Sequence, residues 1–112
     1  MIRLVLSAVF LSFAMTPTAV ANPLWTFCVA SALGSKDVWI TELFPAVATR
    51  DQLERELKSL LEREGHSRVV AQCPAPSGDK VSVVNAQTTA AEFNSKIGSV
   101  MHAVRAQQFP PR

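Results

Sequence analysis

The alternation of hydrophobic and polar positions along the chain predicts six secondary-structure elements in the order β-β-α-β-α-β. Two runs rich in β-branched and aromatic residues, 24–32 and 38–44, flank the turn-forming sequence GSKD. This arrangement predicts a β-hairpin. Segments 67–73 and 99–106 also show strand character, and they supply the third and fourth strands.

The first helix has the clearest signals in the chain. Thr49 followed three residues later by Gln52 fits a capping box at a helix start. Four leucines then recur with the spacing of one helical stripe: Leu53, Leu57, Leu60 and Leu61. Gly65 predicts the end of the helix. The surrounding charged residues indicate a solvated outer face.

The segment 80–97 predicts the second helix. Apolar residues recur there at spacings of 3, 4, 3 and 4: Val83, Ala86, Ala90, Phe93 and Ile97. Two observations leave alternatives open, because the sequence KVSVV has strand propensity and Thr89 with Glu92 could cap a shorter helix over 90–97. We expect helix over most of the segment, ending at Gly98.

These elements predict an α+β fold for residues 22–112, which form one domain. We expect one mainly antiparallel sheet with two helices packed on one face. The third and fourth strands flank a helix, so we expect them to be parallel neighbours joined by a right-handed crossover.

Residues 1–21 have the features of a cleaved signal peptide. Arg3 precedes an apolar run over 4–15, and Ala19-Val20-Ala21 matches a cleavage site. A membrane anchor is the alternative, but a spanning helix needs about 20 apolar residues and this run is shorter. The mature chain is therefore expected to start at Asn22, to carry no membrane span, and to be periplasmic or secreted.

Cys28 and Cys73 are the only cysteines. Export to an oxidising compartment favours a disulfide between them. Each cysteine shares a strand face with small neighbours, which leaves room for a bridge between nearby strands. A catalytic thiolate would need a base, and His66 and His102 lie in no recognisable motif. The spacing of these four residues does not fit a zinc site either.

A short sequence motif spans the strand and helix segments of the mature chain. The motif W-x-F-C, then V-W-I-T-x-x-F-P, then a helix and a strand ending in C-P resembles small exported bacterial proteins of unassigned function. The resemblance covers most of the mature chain and implies a disulfide-linked α+β fold. It implies no catalytic residues.

Charge and composition narrow the function classes. Without Arg3, ten lysines and arginines stand against nine acidic residues, and they are interspersed. The sequence has no basic stripe, so it does not predict nucleic-acid binding. With two histidines and no tyrosine, groups for acid–base chemistry are few. Glu42 shares a strand face with apolar residues, and the favoured interpretation is an edge or rim residue, or one paired with an arginine. We therefore predict no catalytic, cofactor-binding or metal-binding residues.

A contact surface is the remaining candidate site. If both helices cover one face of the sheet, the other face keeps aromatic surface exposed, and Trp39 with Leu43 is the expected patch. The function that follows is a small exported, non-enzymatic module that binds a protein or a cell-envelope component. The patch also admits a homodimer. A small secreted hydrolase with an unrecognised site is the alternative.

Overall fold

Two helices and six strands build the structure, a computed structural model that describes residues 23–111. The predicted signal peptide, residues 1–21, lies outside the described residues. The elements in chain order are β1 (Trp25–Thr26), β2 (Val29–Ala32), β3 (Asp37–Thr41), β4 (Phe44–Pro45), α1 (Arg50–Arg63), β5 (Val69–Gln72), α2 (Lys80–Lys96) and β6 (Val100–Val104). The α+β class is confirmed.

The main sheet has the spatial order β5-β2-β3-β6. Strand β2 is antiparallel to β3 and to β5, whereas β3 and β6 are parallel. The separate pair β1–β4 is antiparallel. The mainly antiparallel arrangement is therefore confirmed. The expectation that the third and fourth predicted strands are neighbours is wrong, because β5 and β6 form opposite edges of the sheet.

Each strand of the predicted hairpin is divided in two. The hydroxyl of Thr41 accepts a hydrogen bond from the amide of Cys28 at 2.9 Å, and the amide of Thr41 donates to the Cys28 carbonyl at 3.0 Å. A side chain thus replaces a peptide group in the ladder. Beyond this point Trp25 pairs with Pro45 and forms a bridge to Ser77, so β1 and β4 leave the main sheet.

The helix starts follow local capping chemistry. Thr49 and Gln52 form the predicted capping box at the start of α1. In α2, the side chain of Asp79 accepts from the amide of Ser82 and acts as N-cap. The helix therefore covers the whole segment from Lys80, and the shorter alternative over 90–97 does not occur.

The two helices pack on opposite faces of the sheet. Leu53, Leu57 and Leu61 of α1 form one core cluster with Ala30 and Trp39. Strand residues whose side chains point to the other face of the sheet lie beside α2. Three of them, Val29, Val38 and Val70, line one cleft with Asn94 of α2. The crossovers β3–α1–β5 and β5–α2–β6 run in opposite directions along the sheet, and right-handed crossovers then place their helices on opposite faces. The expectation of both helices on one face is wrong.

The disulfide between Cys28 and Cys73 is confirmed. Val29 pairs with Gln72 at the end of the β2–β5 ladder, and the two cysteines continue that register by one residue. Their Cα atoms are 4.2 Å apart, and both residues are buried beneath α1 among small neighbours such as Ala30. The disulfide therefore joins two adjacent antiparallel strands.

Candidate functional site

Trp39 is not part of an exposed patch, and the prediction of its exposure is wrong. Only 6% of the residue is accessible to solvent. Because Trp39 pairs with Ala30, its side chain points to the α1 face and joins the core there. The rings of His66 and His102 lie against the indole, with centroids 4.5 and 5.4 Å from it.

Leu43 lies away from Trp39. It follows the end of β3, where the chain leaves the main sheet, and it is half-buried. An apolar groove contains it together with Val47, Pro110 and Pro111. The structure therefore does not bring the two predicted contact residues together.

A different apolar surface is exposed on the α2 side of the sheet. Helix α2 contacts β3 and β6, so the half of this face formed by β2 and β5 is left uncovered. Val29 is half-buried there and Val70 is 43% exposed. Leu33 follows β2 directly and is 56% exposed. Its amide bonds the carbonyl of Arg68, one residue beyond the last pair of the β2–β5 ladder, which continues the side-chain alternation of β2.

One flank of α2 borders this uncovered half. Ala90 and Asn94 line clefts shared with Val29 and Val70. Phe93 stands one turn from Ala90, and Ile97 stands one turn from Asn94 on the same side. Phe93 is 61% exposed and Ile97 is 63% exposed. The apolar residues that recur at helical spacing in α2 therefore lie partly beside the core and partly at the surface.

We call this surface the open face. Its members are apolar or uncharged polar residues in β2, β5 and α2 or directly after β2 and α2: Val29, Ser31, Leu33, Val70, Gln72, Phe93, Asn94 and Ile97. None of the eight carries a charge. The cores of protein–protein interfaces are likewise depleted of charged residues. An exposed apolar surface with a few uncharged polar groups is typical of a contact site.

A polar cluster lies at the turn that joins β2 and β3. Ser35 donates its hydroxyl hydrogen bond to Oδ2 of Asp37 at 2.8 Å, and Nε2 of His102 lies 2.8 Å from Oδ1 of the same carboxylate. The serine is therefore bonded to the carboxylate and not to the histidine. A nucleophilic serine needs an adjacent base that takes its proton, so this geometry does not activate Ser35.

The Asp37 carboxylate makes the stability of the fold depend on pH in the acidic range. The hydrogen bond with His102, and then that from Ser35, hold the pKa of Asp37 below its ordinary value of 3.8. A depressed carboxyl pKa contributes stability above the unfolded-state pKa, and this contribution is lost as the pH falls through the folded-state pKa. We expect the variant Asp37→Asn to be less stable than the wild type at neutral pH.

The difference should shrink as the pH falls below about 4. Urea unfolding of both proteins between neutral pH and pH 3 measures it. A stability difference that stays constant or grows between about pH 4 and pH 3 would contradict this linkage.

Other polar residues have structural partners. Glu42 is exposed, and its carboxylate accepts a hydrogen bond from the amide of Ala106, which places it at the rim as expected. Among residues 23–111, no three histidine, cysteine or acidic side chains are grouped in a way that could hold a metal ion. In the same part of the chain, neither helix has the length and apolar character needed to cross a membrane.

A scan against protein-family models and searches of curated proteins and solved structures give no match to this chain. The inferences about function below therefore rest on its own residues.

Proposed function

We propose that this protein is an exported, non-enzymatic module that binds a protein or another component of the cell envelope through the open face. The observation that carries the proposal is the exposure of large apolar side chains beside an uncovered half of the sheet. Phe93 and Ile97 each expose more than half of their surface. Monomeric proteins seldom leave such residues adjacent without a contact that covers them.

The shape of the open face favours a macromolecular partner over a small substrate. Its floor is two strands wide, and α2 forms only one wall. A small-molecule site is a concavity that encloses its ligand and directs several polar groups at it. Here the polar groups are few, and the amide of Asn94 already donates to the carbonyl of Ala90 at 2.8 Å.

Two features support export. The sequence of residues 1–21 is typical of a cleaved signal peptide, and the mature chain carries a disulfide. Disulfides form and persist in the periplasm and outside the cell. The proposed location is therefore the periplasm or the extracellular medium, where an envelope component would be the partner.

The test compares two double variants in affinity capture from the organism's own envelope extract. The substitutions Phe93→Lys and Ile97→Lys place two charges on the open face. They should weaken capture of the partner about thirtyfold, the effect of losing one hot spot. Because both positions are exposed, melting temperatures should stay close to that of the wild type.

Val47→Lys with Val81→Lys is the matched control, since these residues are 81% and 68% exposed and lie outside the open face. Capture by this control should equal that of the wild type. If the control loses the partner and the open-face variant keeps it, the proposed surface is wrong.

A further inference from the structure

The floor of the open face has the width of one α-helix. Neighbouring strands lie about 4.8 Å apart and packed helices about 8–10 Å apart, so a face four strands wide has room for two helices. Helix α2 contacts β3 and β6, which leaves the two strands β2 and β5. On their other face these same strands already pack a helix, since the α1 leucines share a core cluster with Ala30 and Val69.

The peptide groups of the floor are already paired. Strand β2 bonds β3 on one side and β5 on the other, so its peptide groups point along the plane of the sheet and not towards the open face. An extended segment lying on this face would find no partners for its own peptide groups there, which costs free energy. A helix satisfies its peptide groups internally. The open face therefore fits a helix better than a strand.

The open face is a step and not a plane. Helix α2 stands about 10 Å above the sheet, which is the diameter of a helix, and Phe93 and Ile97 lie on its flank. A flat bilayer surface resting on α2 would not reach Val29 and Val70 on the floor. A cylinder that lies beside α2 contacts the floor and this wall at once.

Neither helix of a second copy has the apolar stripe that this position needs. The side of α2 away from the sheet carries exposed polar residues at helical spacing, Thr88, Glu92 and Ser95. The outer side of α1 carries charged residues such as Arg55 and Glu62, which are also exposed. The apolar sides of both helices are turned to their own sheet. A matching helix therefore comes from a different protein.

We propose that the open face binds an amphipathic α-helix of another envelope protein, which lies beside α2 and across β2 and β5. The members of the open face carry no charge, so the complementary stripe of the bound helix is uncharged, with apolar residues at i, i+3 or i+4, and i+7. The charged side of that helix faces the solvent. The assignment rests on the function proposed above and specifies its partner.

Photo-crosslinking from the floor and from the wall, with mass spectrometry of the digested adducts, tests the bound helix. A benzophenone amino acid is placed at position 33 or at position 93 of the full chain in the exporting cell. Both positions are more than half exposed. We expect adducts from both positions to map to one segment of one protein, within about 15 residues. Their sites should be spaced three, four or seven residues apart, as on one side of a helix.

Other adduct patterns would overturn the bound helix. Sites two residues apart would indicate an extended segment, sites on this same chain would indicate a second copy, and lipid adducts would indicate a membrane surface. Each of these results leaves the open face a contact surface and refutes only the helix. The absence of any adduct at position 93 would refute the contact surface itself and the helix with it.

Two double variants measure whether the partner touches floor and wall together. Leu33→Lys with Val70→Lys charges the floor, at positions that are 56% and 43% exposed, and Phe93→Lys with Ile97→Lys charges the wall. Each pair should weaken capture of the crosslinked protein about thirtyfold, with melting temperatures close to that of the wild type. The control Val47→Lys with Val81→Lys should keep full capture. Loss of capture from the wall variant alone would show that the partner does not lie on the floor and would overturn the proposed helix.

Discussion

Replacing Cys28 and Cys73 by alanine is expected to lower the melting temperature by about 16–32 °C, the largest effect of any change that leaves the core volume nearly intact. The disulfide spans 45 residues. The chain-entropy model assigns a loop of that length about 4 kcal/mol, through restriction of the unfolded chain. A domain of this size has a total stability of only about 5–15 kcal/mol, so the loss is a large fraction.

Thermal unfolding followed by circular dichroism, with and without reductant, measures this effect. The wild type should lose stability on reduction, whereas the double alanine variant should be insensitive to reductant. That variant serves as the control for other effects of the reagent. A melting temperature within about 2 °C of the wild type would contradict a stabilising role for the bond.

The second large effect is expected at Trp39. Truncation to alanine should cost about 3–5 kcal/mol, because it removes a large aromatic side chain from the core. The residue is 6% exposed and packs with the α1 leucines, His66 and His102. Urea unfolding at constant pH provides the measurement. Trp39→Phe, which keeps an aromatic ring, should lose distinctly less.

Leu43→Ala is the comparison for a half-buried position outside that core. It should cost less than Trp39→Ala. If Trp39→Ala kept its stability and lost only partner capture, Trp39 would be a contact residue after all, and its assignment to the core would be wrong.

Local signals in the sequence predicted the elements that depend on local chemistry. The capping box of Thr49 and Gln52 and the leucine spacing of α1 needed only neighbouring residues. The pairing of Cys28 with Cys73 was predictable because two cysteines allow a single internal bond. Small neighbours at period two also left room for a bridge between nearby strands.

The arrangement of the elements in space was harder to predict from the sequence, since it depends on contacts between distant segments. The side chain of Thr41 bonds the Cys28 amide, and this contact interrupts both hairpin strands. Strand β6 pairs with β3 and not with β5, so α2 crosses the sheet on the face opposite α1. That crossover removed the premise on which exposure of Trp39 was expected.

The open face was predictable from the sequence only in part. The regular spacing that includes Ala90, Phe93 and Ile97 was visible in the sequence as a helical pattern. The pattern did not show that Val83 is its one buried member. The sheet side of the helix continues through Gln87, which bonds the Thr41 carbonyl at 2.7 Å. An apolar spacing predicts a helix, but the position of the helix over the sheet decides which of its residues stay exposed.

Site-specific photo-crosslinking in the exporting cell is the most direct test of the central claim, that the open face is a contact surface in the envelope. A benzophenone amino acid at position 93 should give an adduct with an envelope component, carried by the form of the chain that lacks residues 1–21. The same group at position 47, which is also highly exposed, should give none. Adducts at position 47 without adducts at position 93, or adducts only on the uncleaved form, would contradict the account.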